Sequence, residues 1–269
     1  MFGFDEKKNY DDDDTSSVDL NGRPFDLKDV LVCTTHGKIY AISKTDGSRY
    51  WRQKFPGGAY GSLVSVFISD SGKVILGCNG KTACIDLYTG ETKWVNKMKG
   101  MGIEEVGVVC SISQQSPAIQ DRTEGGDDQL PSYEGSTVEE KQVVFGCTRG
   151  KVVAIDADSG EELWRYNCPG GGYNIPSLLI EPTQQGSSRW PFQVLYAGCG
   201  KWIYCLRVST GEVLWTNRIS SSKFGLGMIC MATPWTSRVR AELYTDFSNT
   251  PHAQFRELER RRHSSNGGG

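Results

Sequence analysis

The sequence contains no vicinal cysteine pair and no CxxC pair, although it has nine cysteines in 269 residues. Most of these cysteines lie within short apolar runs, where a reduced cysteine behaves as a small hydrophobic residue. No asparagine satisfies the N-glycosylation pattern, since Asn249-Thr250 is followed by Pro251. Together these absences favour a reducing, intracellular compartment, either cytoplasmic or nuclear.

Long hydrophobic runs and a strong charge imbalance are also missing. No run approaches the roughly 18 apolar residues of a membrane-spanning helix, and the polar, acidic first ten residues are unlike a signal peptide. The net charge of −2 gives no global attraction to nucleic acid or to an anionic membrane. We therefore expect a monomer that binds neither nucleic acid nor membrane.

Recognisable catalytic patterns are absent as well. No pair of histidines has metal-ligand spacing, and no nucleophile elbow occurs. Four cysteines at nearly equivalent strand ends fit either a thiolate metal site or simple repeat duplication with small-residue packing: Cys33, Cys78, Cys147 and Cys199. The sequence predicts no catalytic residue, no metal and no cofactor.

A repeated pattern organises the chain. In the segment Ala154-Ile-Asp-Ala-Asp-Ser-Gly-Glu-Glu-Leu-Trp164, a glycine follows the first position by six residues and a tryptophan follows it by ten. The same spacing recurs in three other segments: Ala41…Gly47…Trp51, Cys84…Gly90…Trp94 and Cys205…Gly211…Trp215. Four copies at one spacing indicate a repeat protein in which each copy is one structural unit.

Each unit is predicted to be a β-meander. An apolar strand precedes every copy, and pairs such as Asp46-Gly47 and Asn79-Gly80 suit tight hairpin turns. A connector follows each tryptophan and leads into another apolar strand. The first and third connectors share a Pro-Gly-Gly-x-Tyr motif, which suggests that a pair of units was duplicated.

Counting strands predicts how the units close. Units two to four have four strands each, whereas unit one lacks its first strand and Met228–Thr233 is left over at the far end. If that strand completes unit one, no sheet edge stays unpaired. We therefore predict an all-β fold, a four-bladed β-propeller of four-stranded antiparallel blades, closed by N- and C-terminal strands in one blade. An open stack, or half of a larger ring completed by dimerisation, is the alternative.

The Ala-x-Asp-x-x-Ser/Thr-Gly-x-x-x-Trp pattern resembles the tryptophan-docking repeat of the quinoprotein (PQQ-dependent) alcohol dehydrogenase-like propellers. Asp156, Ser159 and Gly160 match its fixed positions, while Ser43 and Arg207 replace the Asp in units one and four. The resemblance covers roughly residues 30–233 and implies that each Trp packs between blades. The whole chain also looks like a group of fungal proteins of that superfamily, from which no activity is carried over.

The connectors are the candidate binding site. Links from an outermost strand to the next innermost strand emerge on one face of a propeller, so all four should meet around one mouth. The predicted ligand-binding residues there are Tyr60, Glu104, Glu105, Tyr173, Asn174, Lys223 and Phe224. The alternative is that the two tyrosines only fill the narrow axis of a small ring.

The remaining segments frame the propeller, which we place at residues 30–234. Residues 1–29 are predicted to be a disordered acidic arm and residues 114–141 a mobile insertion. Residues 235–269 form a tail with a short basic helix.

The predicted function is a non-catalytic scaffold that binds an unknown protein or small-molecule ligand. Family enzymes use about twice as many blades and often a vicinal cysteine pair, both missing here. A PQQ-type oxidoreductase, or an accessory domain of a larger enzyme, is the alternative.

Overall fold

The computed structural model describes residues 24–58, 63–113, 141–172, 174–181, 190–219 and 229–233. Their regular structure consists of a short 3-10 helix, Leu27–Asp29, followed by fifteen β-strands. Among the described residues, no helix is long and apolar enough to cross a membrane. The predicted arm up to residue 23, the insertion 114–140 and the tail from residue 234 lie outside the described residues.

The strands form four antiparallel sheets, one for each sequence repeat, and we call these sheets blades 1 to 4. Blade 1 contains β1 (Val30–Thr35), β2 (Lys38–Ser43) and β3 (Arg49–Lys54). Blade 2 contains β4 (Ser65–Ile68), β5 (Lys73–Cys78), β6 (Lys81–Asp86) and β7 (Thr92–Asn96). Blade 3 contains β8 (Gly107–Cys110), β9 (Val143–Thr148), β10 (Lys151–Asp156) and β11 (Glu162–Asn167). Blade 4 contains β12 (Ser177–Glu181), β13 (Val194–Cys199), β14 (Trp202–Arg207) and β15 (Val213–Arg218). The all-β, propeller-like arrangement predicted from the repeats is confirmed.

The core lies between consecutive blades. The middle strands are almost wholly buried, and β9 is buried at all six positions, whereas the outer strands β3 and β15 are largely exposed. Three separate apolar clusters join blades 1 and 2, blades 2 and 3, and blades 3 and 4. Each blade is therefore stabilised mainly by its neighbours, as expected of stacked repeats.

Phe25, which precedes the predicted propeller boundary at residue 30, packs against the first two blades. Phe25 is 5% exposed and its ring stacks on Tyr50, with the ring centroids 4.2 Å apart. The Tyr88 ring of blade 2 lies 5.3 Å from Phe25 on another side. This residue therefore seals the junction between the first two blades.

A tryptophan and a glycine meet at each internal junction. The indole N–H of Trp51, Trp94 and Trp164 donates to the backbone carbonyl of Leu87, Ala157 and Val208 in the next blade, at 2.8, 3.0 and 3.0 Å respectively. Each indole ring covers a glycine of that next blade so closely that a Cβ would lie within about 3.0 Å of the ring: Gly90, Gly160 and Gly211. These glycines have φ between +71° and +75°, where a side chain would also strain the backbone. We call this pairing the Trp–Gly junction.

The predicted closure through Met228–Thr233 is not seen. Within the described residues, blade 1 has three strands in the order β1-β2-β3, and residues 229–233 belong to no sheet. A Cβ added at Gly198 of blade 4 would lie 2.8 Å from Ile229 and 3.2 Å from Met231, so this segment packs against blade 4. Among the described residues no strand pairing joins blade 4 to blade 1, and we call this unclosed arrangement an open row.

Candidate binding site on the connector face

The connectors lie on the same face as the hairpin turns that join the two middle strands of each blade. Backbone N–H groups of Phe55, Cys168 and Ile219, at the connector starts, donate to carbonyls of those turns, at Gly37, Gly150 and Lys201. The turn residues His36, Asn79 and Arg149 all adopt left-handed backbone angles, with φ of 48°, 49° and 50°. We call this side of the row the connector face.

The third connector, which begins at Cys168, is held by hydrogen bonds to blade 4. The Tyr204 hydroxyl of β14 donates to the Pro169 carbonyl at 2.7 Å, and burial raises the pKa of that hydroxyl. The buried Cys168 thiol is hydrogen-bonded to Cys199; this bond and burial both raise the pKa of Cys168. A rigid connector presents its polar groups in a fixed arrangement.

Two of the predicted site residues flank the hairpin turn of blade 3. The Asn174 carbonyl accepts from the Gly150 N–H at 2.7 Å, and the Glu104 carboxylate lies 3.9 Å from the Arg149 guanidinium. Glu104 also accepts from the Ile103 N–H at 3.0 Å, so its carboxylate stabilises its own loop. The Glu104 carboxylate therefore already has partners within the protein. Asn174, in contrast, lines an open cleft.

Glu105 is half-buried beside the second hairpin of blade 2. There burial raises the pKa of the Cys78 thiol to about 11; the charge of Lys81 opposes that rise and the charge of Glu105 supports it. The other four predicted residues, Tyr60, Tyr173, Lys223 and Phe224, lie outside the described residues.

The cleft has a volume of about 480 Å³ and lies between the third connector and blade 4. Its walls are Gly170, Asn174, Gly200, Lys201, Trp202 and Arg218. Trp202 and Arg218 are directly opposite each other in the register of β14 and β15, and Lys201 precedes Trp202 in the hairpin turn. Two cationic residues and one partly buried aromatic ring therefore line the same cleft.

The cleft contains one residue that the sequence predicted, Asn174, and three that it did not, Lys201, Trp202 and Arg218. Trp202 begins an apolar strand and looks like a core residue, and Arg218 ends a strand. The available signal was positional: the Gly200-Lys201 turn occupies the same end of the blade as the connectors. Counting hairpin turns together with connectors would have placed Lys201 and Arg218 on the connector face.

The cysteines at equivalent strand ends do not form a metal site in the described part of the chain. Among those residues, no three His, Cys, Asp or Glu side chains are grouped so that they could hold an ion. Burial instead raises the pKa of the Cys78 thiol to about 11 and also raises the pKa of the Cys147 thiol. Both cysteines pack as core residues.

Comparison with known proteins places the chain in a family. The family model described as "Outer membrane protein assembly factor BamB" matches residues 11–226. An outer membrane protein assembly factor BamB of Nitrosomonas eutropha is 28% identical over 139 residues, which are 50% of this chain and 29% of that protein. The chain thus spans less than a third of this curated relative.

Solved structures of the same type are more distant. BamB from Moraxella catarrhalis has 17% identity and a TM-score of 0.44, covering 73% of this chain and 50% of that one. Quinohemoprotein alcohol dehydrogenase from Comamonas testosteroni has 14% identity and a TM-score of 0.43, covering 71% and 34%. The family match over residues 11–226 carries the assignment: the chain belongs to the BamB-like family of PQQ-repeat β-propeller proteins.

Proposed function

We propose that this chain is a non-catalytic scaffold that binds an acidic, extended segment of a partner protein in the connector-face cleft. The observation that carries the proposal is that two cationic residues, Lys201 and Arg218, line the same cleft as the Trp202 ring. Cations beside an aromatic ring favour a ligand that combines carboxylates with an apolar or aromatic residue. The name of the related assembly factors agrees with a protein partner rather than a substrate.

The backbone around the cleft supports an extended ligand. Gly170 and Gly200 line it without side chains, so a peptide main chain can approach closely. The Asn174 side chain supplies both a donor and an acceptor next to these glycines. A small ligand with a carboxylate would use the same cations, but it would leave the adjoining glycine-lined surface unused.

Connector residues outside the described part of the chain belong to the same proposal. Tyr60, Tyr173, Lys223 and Phe224 would extend the site around the face, with Glu104 and Glu105 on its acidic side. We also retain an intracellular location as part of the proposal, which cell fractionation would test against the outer-membrane association in the relatives' name.

A display library of random peptides provides the direct test. We expect the wild-type protein to enrich peptides that contain Asp or Glu next to an aromatic residue. A selected peptide should lose at least about tenfold in affinity for Lys201→Glu and for Arg218→Glu, because each change places like charges together. Lys44→Glu is the matched control, since Lys44 lies in the turn at the opposite end of blade 1.

The outcomes separate the candidate functions. Enrichment without acidic residues, or equal losses in Lys44→Glu, would contradict the proposed site. Stoichiometric binding of PQQ with Ca²⁺ would instead support the oxidoreductase alternative. Melting curves of the three variants verify that any lost affinity is not lost folding.

A further inference from the structure

The two ends of the blade row carry the two unmatched halves of one Trp–Gly junction. Gly47 of blade 1 occupies the same repeat position as Gly90, Gly160 and Gly211, and it has the same left-handed backbone, with φ of 75°. A Cβ added at Gly47 would meet no atom within 4 Å, whereas at the other three glycines it would strike an indole ring. Blade 1 therefore presents an unfilled acceptor for a tryptophan.

Trp215 of blade 4 is the matching donor. It is 39% exposed, whereas the equivalent Trp94 is 8% exposed beneath the next blade. Tyr196 of its own blade contacts the Trp215 ring at 5.9 Å, much as Phe145 contacts Trp164 at 5.5 Å. The indole is thus already held by its own blade as at an internal junction, and the next blade is what it lacks.

A second set of contacts between neighbouring blades is also incomplete at the two ends of the row. It involves β1, β5, β9 and β13 and the residues that precede the first strand of the next blade. Thr34, Gly77 and Cys147 occupy one position in blades 1 to 3, and each contacts the residue just before the next blade's first strand. The Thr34 hydroxyl donates to Val64 at 2.6 Å, Gly77 packs closely on Val106, and the Cys147 thiol donates to Pro176 at 3.2 Å. Gly198 is the equivalent residue of blade 4, and it packs on Ile229.

Ile229 therefore occupies the position of Val64, Val106 and Pro176, and the residues after it occupy that of a first strand. Their exposure alternates, with Met231 and Thr233 half-buried and Cys230 and Ala232 exposed, as in a strand with one covered face. This segment therefore has the place and the exposure pattern of a first strand, although it pairs with no other strand in the described residues. Within the same residues, blade 1 has three strands and lacks a strand at the position of β4, β8 and β12.

We propose that a second copy of this chain completes both ends, head to tail, so that two copies close one ring of eight blades. In each of the two new junctions, Trp215 of one copy covers Gly47 of the other, and residues 230–233 of one copy add a strand to β1 of the other. The same chain carries both halves, so one twofold arrangement satisfies all four ends at once. Propellers typically have four to eight blades, which admits two copies and excludes three.

The internal blades fix the register of the new strand pair. Ser65 is opposite Gly77, Gly107 is opposite Cys147, and Ser177 is opposite Gly198. By the same register, Cys230 of one copy lies opposite Thr34 of the other. In blade 3 the Cys147 sulfur lies 2.9 Å from where a Cβ at Gly107 would be, so cysteines at this pair of positions are close enough for a disulfide.

The substitution Thr34→Cys tests this pairing with the native Cys230 as its partner. The change is conservative, since blade 3 already has a cysteine, Cys147, at the equivalent position. We expect mild oxidation, with copper phenanthroline as the oxidant, to join the two thiols with loss of two protons and two electrons. The product should be a covalent dimer on a non-reducing gel that dithiothreitol returns to monomer. Thr34→Cys combined with Cys230→Ser should give no such dimer.

Light scattering on the reduced wild-type protein supplies the second measurement, and a mass of two copies is expected. A faster-migrating, internally cross-linked monomer would overturn the proposal, because it would mean that one chain closes a four-bladed ring by itself. A monomer mass at about 100 μM without any cross-link would also overturn it. The dimer replaces the monomer expected from the sequence, and the inference does not depend on the proposed peptide cleft.

Discussion

At the scale of single residues, the glycine of each repeat has two separate reasons to be glycine. Its left-handed backbone disfavours any side chain, and at the internal junctions an indole ring fills the space that a Cβ would need. Gly160 and Gly47 share the first reason, with φ of 75° at both, but only Gly160 lies beneath a tryptophan. The pair therefore separates backbone strain from steric exclusion.

We expect Gly160→Ala to destabilise the protein far more than Gly47→Ala. The methyl group at Gly47 adds only left-handed strain, about 1–2 kcal/mol. At Gly160 it would lie 2.6 Å from the Trp94 ring, which adds overpacking of about 1–3 kcal/mol. Urea denaturation in dilute solution measures both changes, and equal losses would show that Gly47 is covered as well.

At the scale of elements, the turn before the repeat glycine is held by one side-chain acceptor in blades 1, 2 and 3. The Asp156 carboxylate accepts from the N–H of Asp158 and Ser159 at 3.0 and 2.9 Å, and Asp86 does the same in blade 2. Ser43 replaces the carboxylate with a hydroxyl that accepts from Thr45 at 3.2 Å. Arg207 cannot accept; its guanidinium instead donates to Ser209 and lies over the Phe192 ring at 4.3 Å.

These contacts predict how stability changes with pH. Partial burial raises the pKa of Asp156. The hydrogen bonds from the N–H groups of Ser159 and Asp158 lower this pKa by more than burial raises it, so the pKa lies below its ordinary value. A carboxyl whose pKa is lowered by folding contributes stability above its unfolded pKa of about 3.9 and loses it as pH falls through the folded value.

Asp156→Asn should therefore destabilise the protein at pH 7 and less so below about pH 4. The amide still offers an acceptor oxygen to the turn but carries no charge, so the difference from wild type should shrink in acid. Urea denaturation at both pH values measures it. A difference that is the same at pH 7 and pH 3 would contradict the assigned role of the charge.

The sequence predicted these elements well because their signals are local. Repeat spacing, turn glycines and alternating apolar residues identified four meanders, and the structure has one antiparallel sheet for each of them. The cleft was predicted less well because Trp202 and Arg218 are brought together only through the pairing of β14 with β15. These two residues are 16 positions apart in the sequence, and no local pattern marks them.

At the scale of the whole molecule, strand counting alone did not determine the closure. It predicted one strand too many at the far end and one too few in unit one. In the described residues blade 1 has three strands, but residues 229–233 belong to no sheet. Counting could not say whether the two ends meet within one chain, because that depends on the rotation between blades. Ile229 packs on Gly198 of blade 4, and among the described residues the edge of β1 that does not face β2 stays unpaired.

An open row predicts unequal roles for equivalent tryptophans. Trp164 lies within an internal junction, where removing a large side chain costs about 3–5 kcal/mol. Trp215 lies at the free end of the row and is 39% exposed, so its removal from a single copy should cost less than about 1 kcal/mol.

The free energies of unfolding of Trp164→Ala and Trp215→Ala test the open row most directly. They should be measured by urea denaturation at a concentration where light scattering gives the mass of one copy. The account predicts a large loss for Trp164→Ala and almost none for Trp215→Ala. Comparable losses in the two variants would contradict it, because Trp215 would then be packed against blade 1 of its own chain.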